Sequence, residues 1–202
     1  MNTMGKLVKR GFTLIELMVV IAVVAVIAAL AAPMFTSLIE MQRLRGTTAQ
    51  LVTDLQFARN EAVSRNTLVR LSFNANPQMT CYTLYTSTEL INAVRCNCLL
   101  GAGNACTAAN VEIRTVQMPT SRGVQVLIPI PQEYDTAFAF DNITGGLYAI
   151  PTDFLTRPLD SIRIDSFLDA PRKLSVAINR TGRPAICSPE GSTMSETACP
   201  PP

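Results

Sequence analysis

The stretch Gly11-Phe12-Thr13-Leu14-Ile15-Glu16-Leu17-Met18-Val19-Val20, continued as an apolar run to Ala32, decides how this chain reads. From Leu17 to Ala32 no side chain is charged or strongly polar. Lys6, Lys9 and Arg10 stand in front of the run, and Glu16 is the lone carboxylate inside it. A helix that crosses a bilayer needs about 20 mostly apolar residues. Residues 12–32 supply that length if Glu16 is tolerated near one end. Basic flanks stay cytoplasmic, which places the rest of the chain on the other side. A secretory signal shares the basic start, the apolar core and the small residues at the end. Ala28-Ala29-Leu30-Ala31-Ala32 could serve as its cleavage region. Against that stand the abrupt Gly11-Phe12 and an acid four residues later, which a signal core would not carry.

Beyond Ala32 comes Pro33, which removes one helical hydrogen bond and disfavours helix just before it. A kink or a locally melted turn is expected at Ala32-Pro33, or else a plain helix end. The next segment is helical by pattern, because Leu44, Leu51, Leu55, Ala58 and Ala62 recur on one face, joined by Val52 and Val63. Arg43, Arg45, Gln50, Asp54, Arg59, Glu61 and Arg65 mostly fall elsewhere, and Glu61 with Arg65 makes a favourable i,i+4 pair. One helix over residues 12–66 would be about 80 Å long. Its first half is apolar all round and its second half amphipathic, so the second half needs a domain to cover its stripe.

From residue 68 the period changes to that of strands. Residues 68–73 and 81–86 alternate and are rich in β-formers, with Asn74-Ala75-Asn76-Pro77 as the turn between them. Further strands are expected at 111–115, 123–128, 136–140, 161–166 and 173–179. Short strands after one long helix give an α+β domain, an antiparallel sheet or two sheets wrapped on the second half of the helix.

The six cysteines, an even count in an exported chain, read as disulfides formed in an oxidising compartment. Cys96-Asn97-Cys98 with Cys81 and Cys106 looks at first like a metal site, but the spacing is not that of zinc ligands and the chain has no histidine. Six cysteines allow 15 pairings. The expected set is Cys187 with Cys199, Cys98 with Cys106 and Cys81 with Cys96. No Ser-His-Asp set or phosphate loop is present, so no catalytic residue, cofactor or metal is assigned. Asp135, Asp141, Asp153, Asp160, Asp165 and Asp169 are scattered without a pair that stands out. Asn142-Ile143-Thr144 and Asn179-Arg180-Thr181 match the glycosylation triplet, a match common by chance.

Taken together, Gly11, Phe12, Thr13, Leu14, Ile15, Glu16 and Leu17 resemble the prepilin signature of type IV pilins and type II secretion pseudopilins. The resemblance implies cutting between Gly11 and Phe12 by prepilin peptidase, N-methylation of Phe12, and retention of the apolar helix. It implies that Glu16, the fifth residue of the processed chain, pairs with the N-terminal amine of a neighbouring subunit during assembly. A carboxylate in hydrocarbon is a functional candidate by default; before assembly Glu16 can also snorkel to the interface. The implied organisation is a leader at 1–11, a transmembrane and filament-core half-helix at 12–33, an amphipathic half-helix at 34–66 and a β-rich head at 67–202, with 34–202 as the soluble domain. Removing the leader takes three of the seventeen basic residues, which leaves fourteen against fifteen acids, or −1. The processed chain as a whole is therefore not a basic nucleic-acid binder.

Leu55, Ala58, Arg59, Glu61, Ala62 and Arg65 resemble the helix that precedes the head in the H-type pseudopilin and the FimU/FimT minor pilins (the GspH/FimT/FimU group). Residues 175–187 resemble the C-terminal Gly-Arg-x-Arg segment of FimT-like minor pilins, whose arginines are associated with DNA capture in natural transformation. Gly182 and Arg183 match, whereas Ala185 stands where the second arginine would be. Residues 157–183 hold Arg157, Arg163, Arg172, Lys173, Arg180 and Arg183 against three aspartates, enough for a small basic face. The alternative is a β-turn at Thr181-Gly182 leading into the last strand, with Arg183 solvated. The resemblance thus implies a minor pilin or pseudopilin that initiates or caps a type IV pilus or type II secretion pseudopilus. Its alternative is a subunit that binds extracellular DNA through Arg180 and Arg183. The implied partners are other pilin or pseudopilin subunits, prepilin peptidase and the inner membrane. The implied location is a single pass with the N-terminus cytoplasmic and the head periplasmic, then the filament, at or near its tip.

Overall fold

The computed structural model describes residues 11–87, 95–107, 109–129, 137–150 and 157–200. Lys6, Lys9, Arg10, Asp135, Asp153 and the first residue of the strand expected at 136–140 lie outside these.

Helix α1 runs from Leu14 to Arg65. Thr13 opens it. Its carbonyl accepts the first helical bond from the Leu17 amide at 3.2 Å, and its hydroxyl accepts from the Glu16 amide at 3.3 Å. That is the threonine half of a Thr-x-x-Glu capping pattern, which satisfies an amide that has no partner within the helix. Asn66 closes the helix in the left-handed region, at φ 50°. The Thr67 amide reaches the Ala62 carbonyl at 3.1 Å and the Asn66 amide the Val63 carbonyl at 3.4 Å, the two bonds of a Schellman cap. Helical backbone continues through Ala32-Pro33, so the helix neither ends nor melts there, but it bends between Leu30 and Phe35, the kink expected where a proline removes one bond from the ladder.

The chain divides into two compact units, Met1–Ile39 and Glu40–Pro202. In the first, every side chain over residues 11–30 and 35–39 is exposed, Phe12, Leu17, Val24, Leu30 and Phe35 among them. A helix that is apolar all round needs lipid or other helices about it. No single helix among the described residues is long and apolar enough by itself to cross a membrane; Leu14–Leu30 and Phe35–Arg65 meet that test only as a pair.

The second unit holds two antiparallel sheets. Its strands are β1 (Val69–Asn76), β2 (Met79–Ser87), β3 (Asn110–Pro119), β4 (Gln125–Leu127), β5 (Ala137–Phe140), β6 (Leu147–Ala149), β7 (Arg157–Pro158), β8 (Ser161–Phe167), β9 (Lys173–Asn179) and β10 (Pro184–Cys187). Six form a sheet in the order β3-β2-β1-β5-β6-β7, and four form another in the order β10-β9-β8-β4. The fold is α+β. The hairpin between β1 and β2 is tighter than the four-residue turn expected, because the Asn76 side chain accepts from the amides of Gln78 and Met79 and turns the chain in two residues. Strands β6 and β7 were not expected. At three and two residues they are too short to show a period, and Gly145 and Gly146 hide the start of β6 in turn chemistry.

Both sheets bury their inner faces on one stripe of α1. Leu51, Leu55, Ala58 and Ala62 are fully buried against Val69, Leu71, Phe73, Leu84, Phe138 and Phe140 of the first sheet and Val126, Ile162, Ile164, Val176 and Ile178 of the second. Leu44 anchors a smaller cluster with Val124, Leu174 and Met194. Val63, placed on the stripe by its spacing, is exposed instead. Asp54, placed off the stripe, is buried and accepts a 2.8 Å bond from the Tyr82 hydroxyl, with Arg114 as its ion-pair partner. Burial first, and the Asp54 charge second, push the Tyr82 hydroxyl far above its usual range, so it stays protonated as the donor. Replacing Leu55 by alanine should destabilise the detergent-solubilised chain by about 2–5 kcal/mol in equilibrium urea unfolding, since both sheets lose a shared contact. A loss below about 1 kcal/mol would show that the sheets hold together without that stripe.

Candidate functional site

Gly11 and Phe12 precede the helix and are exposed. Glu16 lies in the first turn of α1, where the dipole of the helix favours an acid. Its side chain is exposed, and its amide is held by Thr13. Thr13 was not singled out from the sequence, although Thr13-x-x-Glu16 is the signature of a helix start. Gly11, Phe12 and Glu16 therefore sit within one turn of a capped helix end.

At the other end of α1, Arg59 joins the helix to two loops of the head. Its guanidinium donates to the carbonyls of Gly145 and Thr181, each at 3.2 Å, and to that of Thr144 at 3.4 Å. Ala58 and Ala62 on either side are fully buried, so small side chains let the helix approach the sheets while Arg59 reaches over their ends. Gly145 and Gly182, at φ 67° and 74°, pack under the guanidinium. A Cβ on Gly182 would stand 2.0 Å from the Gly145 carbonyl oxygen, and one on Gly145 would stand 2.9 Å from the Arg59 side chain. The Ala-Arg-x-Glu-Ala text thus encodes a clasp. The sequence alone placed Arg59 on the solvated face, since spacing carries no information on loops more than 80 residues away. Glu61 and Arg65 are an ion pair in the helix, as their spacing indicates.

Asn179 to Gly182 is the turn between β9 and β10: the Gly182 amide donates to the Asn179 carbonyl at 2.8 Å, and the Asn179 side chain accepts from Thr181 and from the Arg183 amide. Arg180 and Arg183 are exposed at this turn. Arg180 pairs with Asp160 at 3.3 Å. Arg163 faces Asp165 at 3.6 Å, and Arg172 bridges Asp169 at 2.6 Å and Glu40 at 2.7 Å. The Arg172 hydrogen bond holds the Asp169 carboxyl below its usual range. Of the six basic residues expected to form a face over residues 157–183, Arg163, Arg172 and Arg180 are therefore matched by carboxylates. Asp141, one of the scattered acids, organises the 141–146 turn by accepting from Ile143 and Thr144.

All six cysteines are bonded. Cys187 bonds Cys199. The other two bridges correct the expected pairing: Cys81 bonds Cys98 and Cys96 bonds Cys106, in place of Cys98 with Cys106 and Cys81 with Cys96. The reason is the alternation of the strand. Leu71, Phe73, Tyr82 and Leu84 face the helix, which turns Ser72, Asn74, Cys81 and Thr83 to the outer face. There the Ser72 hydroxyl donates to the Cys96 carbonyl, and the Gln117 amide donates to that of Cys98. These bonds lay the 3-10 turn Cys98–Leu100 across β1 to β3 and bring Cys98 over Cys81. Among the described residues no cluster of three metal-ligating side chains exists.

An exposed apolar half-helix, a capped start bearing Gly-Phe and Glu, and a β-rich head closed on the second half-helix define a pilin-type subunit. The comparisons give its family. The prokaryotic N-terminal methylation motif matches residues 7–32, and the type II transport protein GspH matches residues 47–182. The chain belongs to the GspH family, and with the methylation motif it is a type IV pilin or pseudopilin. That family is structural rather than catalytic, and its members assemble with other pilins after processing by prepilin peptidase. No curated protein and no solved structure matches the chain. The match to GspH starts on the second half of α1 and ends at Gly182, so it contains the whole clasp. Gly182→Ala should lower stability by about 1–3 kcal/mol, because the left-handed backbone and the Gly145 carbonyl both oppose a Cβ. Gly191→Ala, at φ 75° with open space around it, isolates the backbone part and should cost less in the same thermal unfolding assay.

Proposed function

We propose that the chain is a minor subunit that initiates or caps assembly of a type IV pilus or type II secretion pseudopilus. The observation that supports this most is one helix with two different surfaces. Residues 14–30 expose apolar side chains on all sides, while Leu51 to Ala62 are buried in the chain's own head. The first surface has no partner in a single chain. In this reading prepilin peptidase cuts after Gly11, and Phe12 becomes the methylated N-terminus. Residues 12–33 anchor the subunit in the inner membrane by a single pass, and the head at 67–202 lies on the periplasmic side until the helix enters the filament at or near its tip. Glu16 then meets the N-terminal amine of a neighbour, which removes the cost of an unpaired carboxylate among apolar helices.

Glu16→Ala should leave processing and membrane insertion intact but lower filament incorporation by about tenfold or more, measured by immunoblot of sheared filaments against the membrane fraction. Normal incorporation of that variant would remove the role given to the carboxylate.

DNA capture is the alternative reading. Its support is the exposure of Arg180 and Arg183 on one turn. The Arg180–Asp160 pair and Ala185 in place of a second arginine weigh against it. If the turn grips phosphates, Arg183→Ala should weaken binding of duplex DNA at low salt and flatten its salt dependence. Binding that is absent at low salt, or unchanged by Arg183→Ala, would dismiss the idea.

A further inference from the structure

The two sheets have four edges, and they are not alike. β7, β10 and β4 are two, four and three residues long, whereas β3 is ten residues long. No described strand pairs with its outer side. A long open edge presents every second amide and carbonyl to any extended chain that fits alongside.

Beside that edge the helix leaves room. A groove of about 720 Å³ lies between α1 and β3 in the second unit. Arg43, Gly46, Thr47 and Gln50 line it from one face of the helix, at the i, i+3, i+4, i+7 spacing. Val116 and Met118, which also pack on the core, give it an apolar floor. Gly46 faces this open space: a Cβ there would meet nothing within 4 Å, so the room beside it takes a larger side chain. A glycine in mid-helix costs about 1 kcal/mol relative to alanine, so this one is not explained by the stability of the helix.

The charge of the groove is one-sided. Arg43 and Arg122 stand at its rim, both exposed, and no carboxylate lines it. Elsewhere in the same unit Arg59, Arg65, Arg114, Arg172 and Arg180 each meet a carboxylate or a cluster of carbonyls. The groove therefore offers backbone pairing, an apolar floor for alternate side chains and two cations for acids, which are the elements of strand addition.

We propose that this groove receives an extended acidic segment of another subunit, which adds to the free edge of β3. That the partner is another subunit rests on the pilin reading above; the chemistry of the groove does not. Duplex DNA is the competing occupant, since the same arginines attract phosphates.

The test uses the full-length protein in detergent micelles and two fluorescent, end-capped octapeptides, one alternating Glu with Val and one alternating Lys with Val. In anisotropy titrations the Glu-Val peptide should bind at least about tenfold more tightly than the Lys-Val peptide. The double variant Arg43→Glu/Arg122→Glu should weaken Glu-Val binding by about tenfold or more. Gly46→Phe should do the same by filling the groove, while its thermal midpoint stays level or rises. The proposal is overturned if both peptides bind alike, if neither binds, if Gly46→Phe binds as the wild type does, or if a duplex oligonucleotide displaces the Glu-Val peptide at equal concentration. The two readings fail separately. Loss of peptide binding with the wild-type chain present in sheared filaments removes only the groove, and absence of the wild-type chain from sheared filaments with peptide binding intact removes only the pilus-assembly reading.

Discussion

Two sheets share one helix face, and the rest of the head follows from that constraint. Among the described residues neither sheet has a second helical layer of its own. Leu51, Leu55, Ala58 and Ala62 must therefore serve Phe138 and Leu71 on one side and Ile164 and Val176 on the other. Two of the four positions are alanine because both sheets have to come close to the same backbone. Close approach leaves little space for polar groups, yet Asp54 and Arg59 lie beside the stripe. Each is accommodated by a dedicated partner set: Tyr82 and Arg114 for the acid, three loop carbonyls for the arginine.

Among the described residues no α-helix covers the outer face of the six-stranded sheet. Its cover is a short loop held by two bridges and by side-chain bonds from Ser72, Gln117 and Glu112. A loop has few apolar side chains, so covalent closure does what burial does on the inner face. This division explains why four of six cysteines lie within 26 residues of one another, between Cys81 and Cys106.

Much of this was legible in the residues. The stripe of α1 was readable because its spacing is helical and its residues apolar, and the main strands because they alternate. The prepilin-like start was readable from Gly11, Phe12 and Glu16 alone. What could not be read depends on partners distant in the chain. Asp54 looks like a solvated residue until Tyr82 is placed opposite it. Arg59 looks like a surface charge until the 141–146 and 179–182 turns close over it. Cys187 with Cys199 was expected and the other two pairs were not, because the facing of a strand, which spacing does not show, decides which thiol Cys81 meets. The groove at Gly46 was invisible, since nothing in a sequence marks the space beside a glycine.

The bridges have a further consequence. All three lie within the β-rich part of the head, and helix α1 contains no cysteine. If a subunit is pulled by its helix, the tension passes into the head through the Schellman turn at Asn66 and through non-covalent contacts, those of the stripe, the Leu44 cluster, Arg59, Asp54 and Glu40. The covalent links lie off that path. Mechanical failure would then begin with the helix peeling from the sheets, and the sheets would stay stapled. Reduction of the disulfides would soften the head without changing the force at which the helix lets go.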